Sequence, residues 1–269
     1  MGSFFILRMP AALLFRLDSM IGIGTIVNIL TILAGSAIGV LLGARLPDKT
    51  NRTVTDALGL VTLVLGGLNL ASLGDAKFVA AAGVAGPFMI VIFALLLGAI
   101  TGSLAGIETR LEGFGGWLQA KLSRGKVSTS AGRERFITGY VNASLIFAIG
   151  PMAILGSISD GIGQGSNTLI IKSILDGFAS IAFAASLGWG VAASAITVGL
   201  WQGLITLAAT FAGDFIPGAM IAAITATGGV LMLAIGIRLL NLKKIAVADL
   251  LPALLFAPLL TWLVSALPH

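Results

Sequence analysis

Runs of about 20 predominantly apolar residues recur along this chain, the length an α-helix needs to cross the hydrocarbon core of a bilayer. Eight can be placed, near 21–43, 54–72, 79–105, 137–159, 169–187, 191–211, 219–240 and 250–267. Only Leu187-Gly188-Trp189-Gly190 divides the fifth from the sixth, so seven spans is the alternative. Composition agrees, since 57% of the 269 residues are hydrophobic, 10% are charged and the mean hydropathy is +1.07. Soluble domains carry about 25% charged residues. A surface this poor in charge cannot be solvated, so lipid is the solvent. The expected fold is an all-α polytopic membrane protein of eight transmembrane helices, or seven. It forms one transmembrane domain over 20–269.

The same composition narrows the chemistry. A net charge of +5, with 16 basic residues scattered between apolar runs, makes no nucleic-acid patch. Without cysteine there is no disulfide framework, iron–sulfur cluster or thiolate zinc site. The one histidine is His269 at the C-terminus. No HExxH, no GxSxG and no pair of intramembrane acids is present. Neither an enzyme, a metal site nor a cofactor is expected.

Residues 1–19 form an apolar extension too short to span, interrupted by Arg8 and Pro10 and lacking a signal-peptide cleavage pattern. Met20 reads as the natural start, or the extension as an interfacial tail. The longest polar stretch is 107–136, expected to be a cytoplasmic loop. Its part from Glu108 to Arg124 suits a helix in the interface, with Trp117 at headgroup depth, although Gly113, Gly115 and Gly116 weaken that helix. Placing the loop inside puts Arg110, Lys121, Arg124, Lys126, Arg133 and Arg135 in the cytoplasm, and eight spans add Arg45, Lys49, Arg52, Lys243 and Lys244. Only Lys77 and Lys172 then fall on or near the outer side, with Asp75, Asp160 and Asp214. The positive-inside rule therefore predicts that both core termini face out. Arg238, near the inner end of the seventh span, is expected to snorkel to phosphate.

Sliding the chain against itself by 170 positions aligns Gly43/Gly213, Pro47/Pro217, Thr55/Thr225, Gly59/Gly229, Leu63/Leu233, Gly66/Gly236 and Leu70/Leu240 without a gap. Pro87 pairs with Pro258 one residue out of step. This reads as a repeat of spans 1–3 (21–106) in spans 6–8 (191–267), around central spans 137–187. Five spans separate the two starts, so the copies run in opposite directions. Inverted repeats are a recurrent ground plan of secondary transporters.

Candidate site residues follow from polarity at membrane depth. Gly150-Pro151 lies near the centre of the fourth span, where proline removes a donor and frees a carbonyl. Asn142 and Ser144 lie on the cytoplasmic side of that break. Asp176 is the one acid placed well inside a span, about 10 Å deep. Lys172 precedes it by one turn and Ser180 follows by one turn, on the same face. Asn28, Asn69 and Gln202 are further polar groups in lipid, each able to join helices. Gly35, Gly39 and Gly43 form a tandem GxxxG, read as helix packing and also compatible with a homodimer.

Gly24-Thr-Ile-Val-Asn28, Gly150-Pro-Met-Ala-Ile-Leu-Gly-Ser-Ile-Ser-Asp-Gly161, Lys172-Ser-Ile-Leu-Asp-Gly177 and Gln202-Gly203 resemble the YdfK/YqgA-like bacterial membrane proteins. The resemblance covers about 22–267, and the 1–19 extension is where this chain departs. It implies a bacterial inner-membrane protein of several helices, of a family described as transporters, and transfers no site residues. The expectation is a secondary transporter of a small solute or ion. Asp176 would couple a cation or proton, Asn142, Ser144 and Gly150-Pro151 would shape the solute site, and Asn28 and Gln202 would support it. The alternatives are a passive channel, or a scaffold binding a protein or anionic lipid through 107–136.

Overall fold

The computed structural model describes residues 21–44, 47–122, 129–212 and 217–266. The 1–19 extension, Arg45, Arg124, Lys126, Gly213, Asp214 and His269 lie outside them. Most of the described residues are helical, and none of them is in a strand. The long helices are α1 (Ile23–Gly43), α2 (Asp48–Leu70), α4 (Gly86–Ala105), α6 (Ser130–Ala148), α8 (Asn167–Leu187), α9 (Gly190–Ala212) and α10 (Gly218–Leu239). Shorter ones are α3 (Ala76–Ala82), α5 (Ile107–Leu122), α7 (Pro151–Gly161) and α11 (Ala253–Ser265).

Local chemistry explains where several elements break. The apolar run at 79–105 is divided, because Gly83 turns the chain at φ 74° and Pro87 then opens α4. Asp75 starts α3 by accepting the Lys77 and Phe78 amides at 3.0 and 3.1 Å. The fifth and sixth runs are likewise separate helices, parted at Gly188 with φ 76°. The fourth is a bent pair, α6 and α7, meeting at 61°.

Packing direction counts the crossings. Leu169, Gly177, Ile181 and Ala185 of α8 lie in turn against Gly24, Gly35, Gly39 and Gly43 of α1, so the two helices run parallel. With α2 returning and α4 crossing again, α8 can be parallel to α1 only if α6 and α7 together cross once. That makes eight spans. The tandem GxxxG is thus used inside the molecule, with α8 backbone carbonyls against the glycines, the close approach that small residues permit in lipid.

A second glycine seam joins α2 to α10, antiparallel. Gly66 and Gly229 face each other, Leu63 lies over Gly236 as Leu233 lies over Gly66, and Gly59 meets Leu240 as Gly229 meets Leu70. Ile29 of α1 also lies on Gly199 of α9. Ile29 and Gly199 are 170 positions apart, and the α2–α10 contacts 63/236 and 66/233, like 59/240 and 70/229, exchange when 170 is added to one member and subtracted from the other. Much of α10 and the second half of α6 are buried at the centre. Leu60, Val64 and Leu68 of α2, Phe88, Phe93 and Leu104 of α4, and Leu200, Leu204 and Phe211 of α9 are exposed. These outward apolar side chains are the lipid-facing surface.

The stretch at 107–122 is helical despite its glycines, because Gly115 leaves room for the Tyr140 ring. Trp117 is half-exposed, with the Lys121 ammonium over its ring at 4.8 Å. Arg238 does not snorkel. It pairs with Glu108 of α5, whose other oxygen accepts the Ala248 amide at 2.8 Å. Snorkelling loses because a carboxylate stands within reach and satisfies the guanidinium inside the protein.

The α1–α8 seam makes a direct prediction. Gly39→Ala places a methyl group against the Ile181 carbonyl and should destabilise by about 1–3 kcal/mol. Gly67→Ala, which meets nothing within 4 Å, should leave stability unchanged or raise it by up to about 1 kcal/mol. Unfolding midpoints of the two purified variants check this, and equal midpoints would remove the seam from the account.

Candidate functional site

The parallel α1–α8 seam brings the polar residues of both helices together. Lys172 and Asp176 stand one turn apart on α8 and form an ion pair, 5% and 8% exposed. The side chain of Asn28 of α1 lies beside the Asp176 carboxylate. The Asn28 amide in turn donates to the Gln202 side-chain oxygen of α9 at 3.2 Å, and both residues are fully buried. Four candidate residues from three helices therefore form one polar cluster, with the Asn28–Gln202 bond more direct than their spacing in the repeat implies. A charge at the bilayer centre costs at least about 2.5–3.5 kcal/mol on insertion scales, and pairing reduces that cost.

Ser180 is fully buried, lies beside Gly35 and has no partner for its hydroxyl. Asn142 and Ser144 are buried on the last turns of α6, and the Asn142 Oδ1 has no partner. Ser144 Oγ has no partner either, while the Tyr140 hydroxyl one turn away bonds Thr197 of α9 at 2.6 Å. Among the described residues no hydrogen bond joins Asn142 or Ser144 to Asp176. Tyr140 and Thr197 join α6 to α9, whereas Lys172, Asp176, Asn28 and Gln202 lie on α1, α8 and α9. Asn69, also singled out, donates to the Met232 sulfur at 3.3 Å across the α2–α10 seam.

The break is where the sequence puts it. Gly150 is extended, with φ −164° and ψ 146°, and Pro151 is the first residue of α7. Proline has no N–H, so the Phe147 carbonyl loses its partner four residues on. The C-terminal end of α6 and the N-terminal end of α7 thus meet inside the bundle, with Ile149 packed against Gly228 of α10.

Three buried residues were missed. Asp160, expected on the outer side, is 2% exposed in α7 and accepts the Gly22 amide at 3.2 Å. Its burial comes from contact between the end of α7 and the start of α1 at one end of the bundle. Thr25 and Thr206 are buried with unpartnered hydroxyls. Helical spacing from Asn28 and Gln202, three and four residues away, was the available signal.

A family model described as protein of unknown function, DUF554, matches residues 23–262. The chain belongs to this family. It is 29% identical over 245 residues to the protein of Bacillus subtilis (strain 168) described as uncharacterized membrane protein YdfK, covering 90% of this chain and 97% of that one. It is 30% identical over 235 residues to the uncharacterized protein YqgA of Escherichia coli (strain K12), covering 87% of this chain and 94% of that one. No solved structure matches. With the helices of suitable length and apolarity, these relationships make the chain a multi-pass membrane protein of the YdfK/YqgA family.

The network sets an energetic expectation. Lys172→Met leaves a buried carboxylate without its ammonium and should destabilise by about 3–5 kcal/mol. Adding Asp176→Asn should recover part of that loss. A thermal-unfolding double-mutant cycle measures it, and additive losses would mean that the pair is not coupled.

Proposed function

We propose that this protein is a secondary transporter of a small solute or ion, working by alternating access in the bacterial inner membrane. The observation that carries the reading is the buried Lys172–Asp176 pair, with Asn28 beside Asp176 and bonded to Gln202, so that polar groups of three helices meet. A charged network at this depth is a functional site by default. Asp176 is the coupling carboxylate, and exchange of its partner, Lys172 or a bound cation or proton, changes what holds α8 to α1 and α9.

Two further features support this reading. The reciprocal contacts along α2–α10, and Ile29 on Gly199, have the form that an inverted duplication around an axis in the membrane plane produces. The span broken at Gly150 presents opposed helix ends inside the bundle, the usual place for a solute in such folds. Asn142 and Ser144 beside it form the solute side of the site. The basic loop at 107–136 faces the cytoplasm, and the core termini face out. Because α8 covers the glycine face of α1, any homodimer uses another surface.

Thermal unfolding of the purified protein against ions and small metabolites tests the proposal, with Asp176→Asn alongside. A ligand at about 100 times its dissociation constant stabilises the native state by about 2.7 kcal/mol. The wild type should respond to at least one ligand and Asp176→Asn should not. Equal responses in both proteins would take Asp176 out of the mechanism.

A further inference from the structure

A groove of about 860 Å³ runs between α1, α9 and the end of α5. Leu33, Trp189, Ile196 and Leu200 line it and are exposed, so it opens sideways to lipid. Of all the side chains along it, only those of Gln119 and Trp189 carry a polar atom. Water finds few partners on such walls, and an apolar chain loses nothing by lying there. Along α9 the groove extends from Trp189 to Leu200, about 16 Å at the helical rise. Near its deep end Ile29 rests on Gly199. That length is about half of the 30 Å hydrocarbon core, the depth of one leaflet.

The mouth of the groove leads to positive charge. Trp189 stands there, where indole rings favour the edge of the hydrocarbon. A second cavity of about 300 Å³ shares Phe136 and Trp189 with the groove and has Arg135 in its wall. Arg135 gives two N–H groups to the Ser186 and Ala185 carbonyls at 2.8 and 3.3 Å. A guanidinium has five, so three remain for another acceptor. Arg133 lies over Gly116 of α5, one turn before Gln119, and Lys121 lies over Trp117 on the last turns of the same helix. Glu134 is the one acid set against these three cations between 113 and 140.

We propose that this groove binds an anionic phospholipid of the leaflet on the basic side of the bundle, with an acyl chain along α9 and the phosphate at Arg135. Arginine suits a phosphate because its planar fork of donors matches the oxygens. Basic pockets between helices at the membrane surface favour anionic headgroups over zwitterionic ones. Arg135 also holds the C-terminal end of α8, so a phosphate bound to it is tied to the helix that carries Lys172 and Asp176. The inference goes beyond the transport reading and its test uses no solute, so either can fail alone.

The test is thermal unfolding of the purified full chain in dodecyl maltoside with added dioleoylphosphatidylglycerol or dioleoylphosphatidylcholine, and native mass spectrometry to count bound lipid. The anionic lipid should raise the wild-type midpoint saturably, at a concentration about tenfold or more below that of the zwitterionic one. Arg135→Gln keeps a donor for the α8 carbonyls and should remove most of that preference. Arg52→Gln removes an exposed cation of α2 that lines neither cavity, and should keep it. Ala192→Phe and Ile196→Trp fill the groove from two positions on its wall, and each should lose the bound lipid. No preference in the wild type overturns the proposal. Equal losses in Arg52→Gln and Arg135→Gln mean general attraction of charge and overturn it too. A wild-type response in both filled variants removes the groove as the site. A dimer without bound lipid, split by Ala192→Phe, makes the groove an interface between copies instead.

Discussion

Everything in the interior of this molecule depends on how closely α8 approaches α1. Apolar side chains gain nothing by leaving lipid for a neighbouring helix, so contact rests on dispersion and on polar bonds at short range. Gly35, Gly39 and Gly43 let the carbonyls of Gly177, Ile181 and Ala185 come directly onto the α1 surface. Ordinary side chains would hold two helix axes about 8–10 Å apart. The glycine register also decides which polar residues meet. With Gly177 against Gly35, the turn of α8 before it carries Asp176 within reach of Asn28, and Asn28 passes the connection to α9.

The polar interior follows from that approach. Lys172 and Asp176 could not stay charged in a dry bundle singly, and together they still need further donors. Asn28 of α1 places its side chain beside Asp176. The broken span adds a second class of polar group, backbone that proline leaves unpaired, and α10 packs against it at Gly228. Two kinds of polar interior thus lie on different helix pairs, the charged network on α1, α8 and α9 and the backbone break between α6 and α7. Gly161, packed on Thr206, links the end of the broken span to the helix that carries Gln202.

Both ends of the bundle close with the same device, an acid accepting a backbone amide from a distant part of the chain. At one end Asp160 takes the Gly22 amide. At the other Glu108 takes the Ala248 amide while pairing with Arg238, and Asp249 takes the Glu108 amide at 2.8 Å. Arg135 adds a cation to the C-terminal end of α8, donating to the Ser186 carbonyl at 2.8 Å, where the helix dipole favours positive charge. Helix α5 is held by this polar set, with Gly115 fitted to the Tyr140 ring.

The apolar runs by themselves determined that the chain is helical and crosses a membrane, since only a helix satisfies its own backbone in lipid. They also determined the break, because Pro151 lacks an N–H wherever the helix lies, and the Lys172–Asp176 pair, because one helical turn brings the two together. Asn28 and Gln202 were legible only as polar groups at depth. Their bond to each other, the burial of Asp160, the partner of Arg238 and the division of the third run at Gly83 were decided by the tertiary structure. Each depends on distance between segments far apart in sequence, or on a turn whose direction apolarity does not encode. Periodicity within a helix reports which face is apolar. It carries no information on which other helix that face meets, and in lipid that choice rests on glycine register and a few polar bonds.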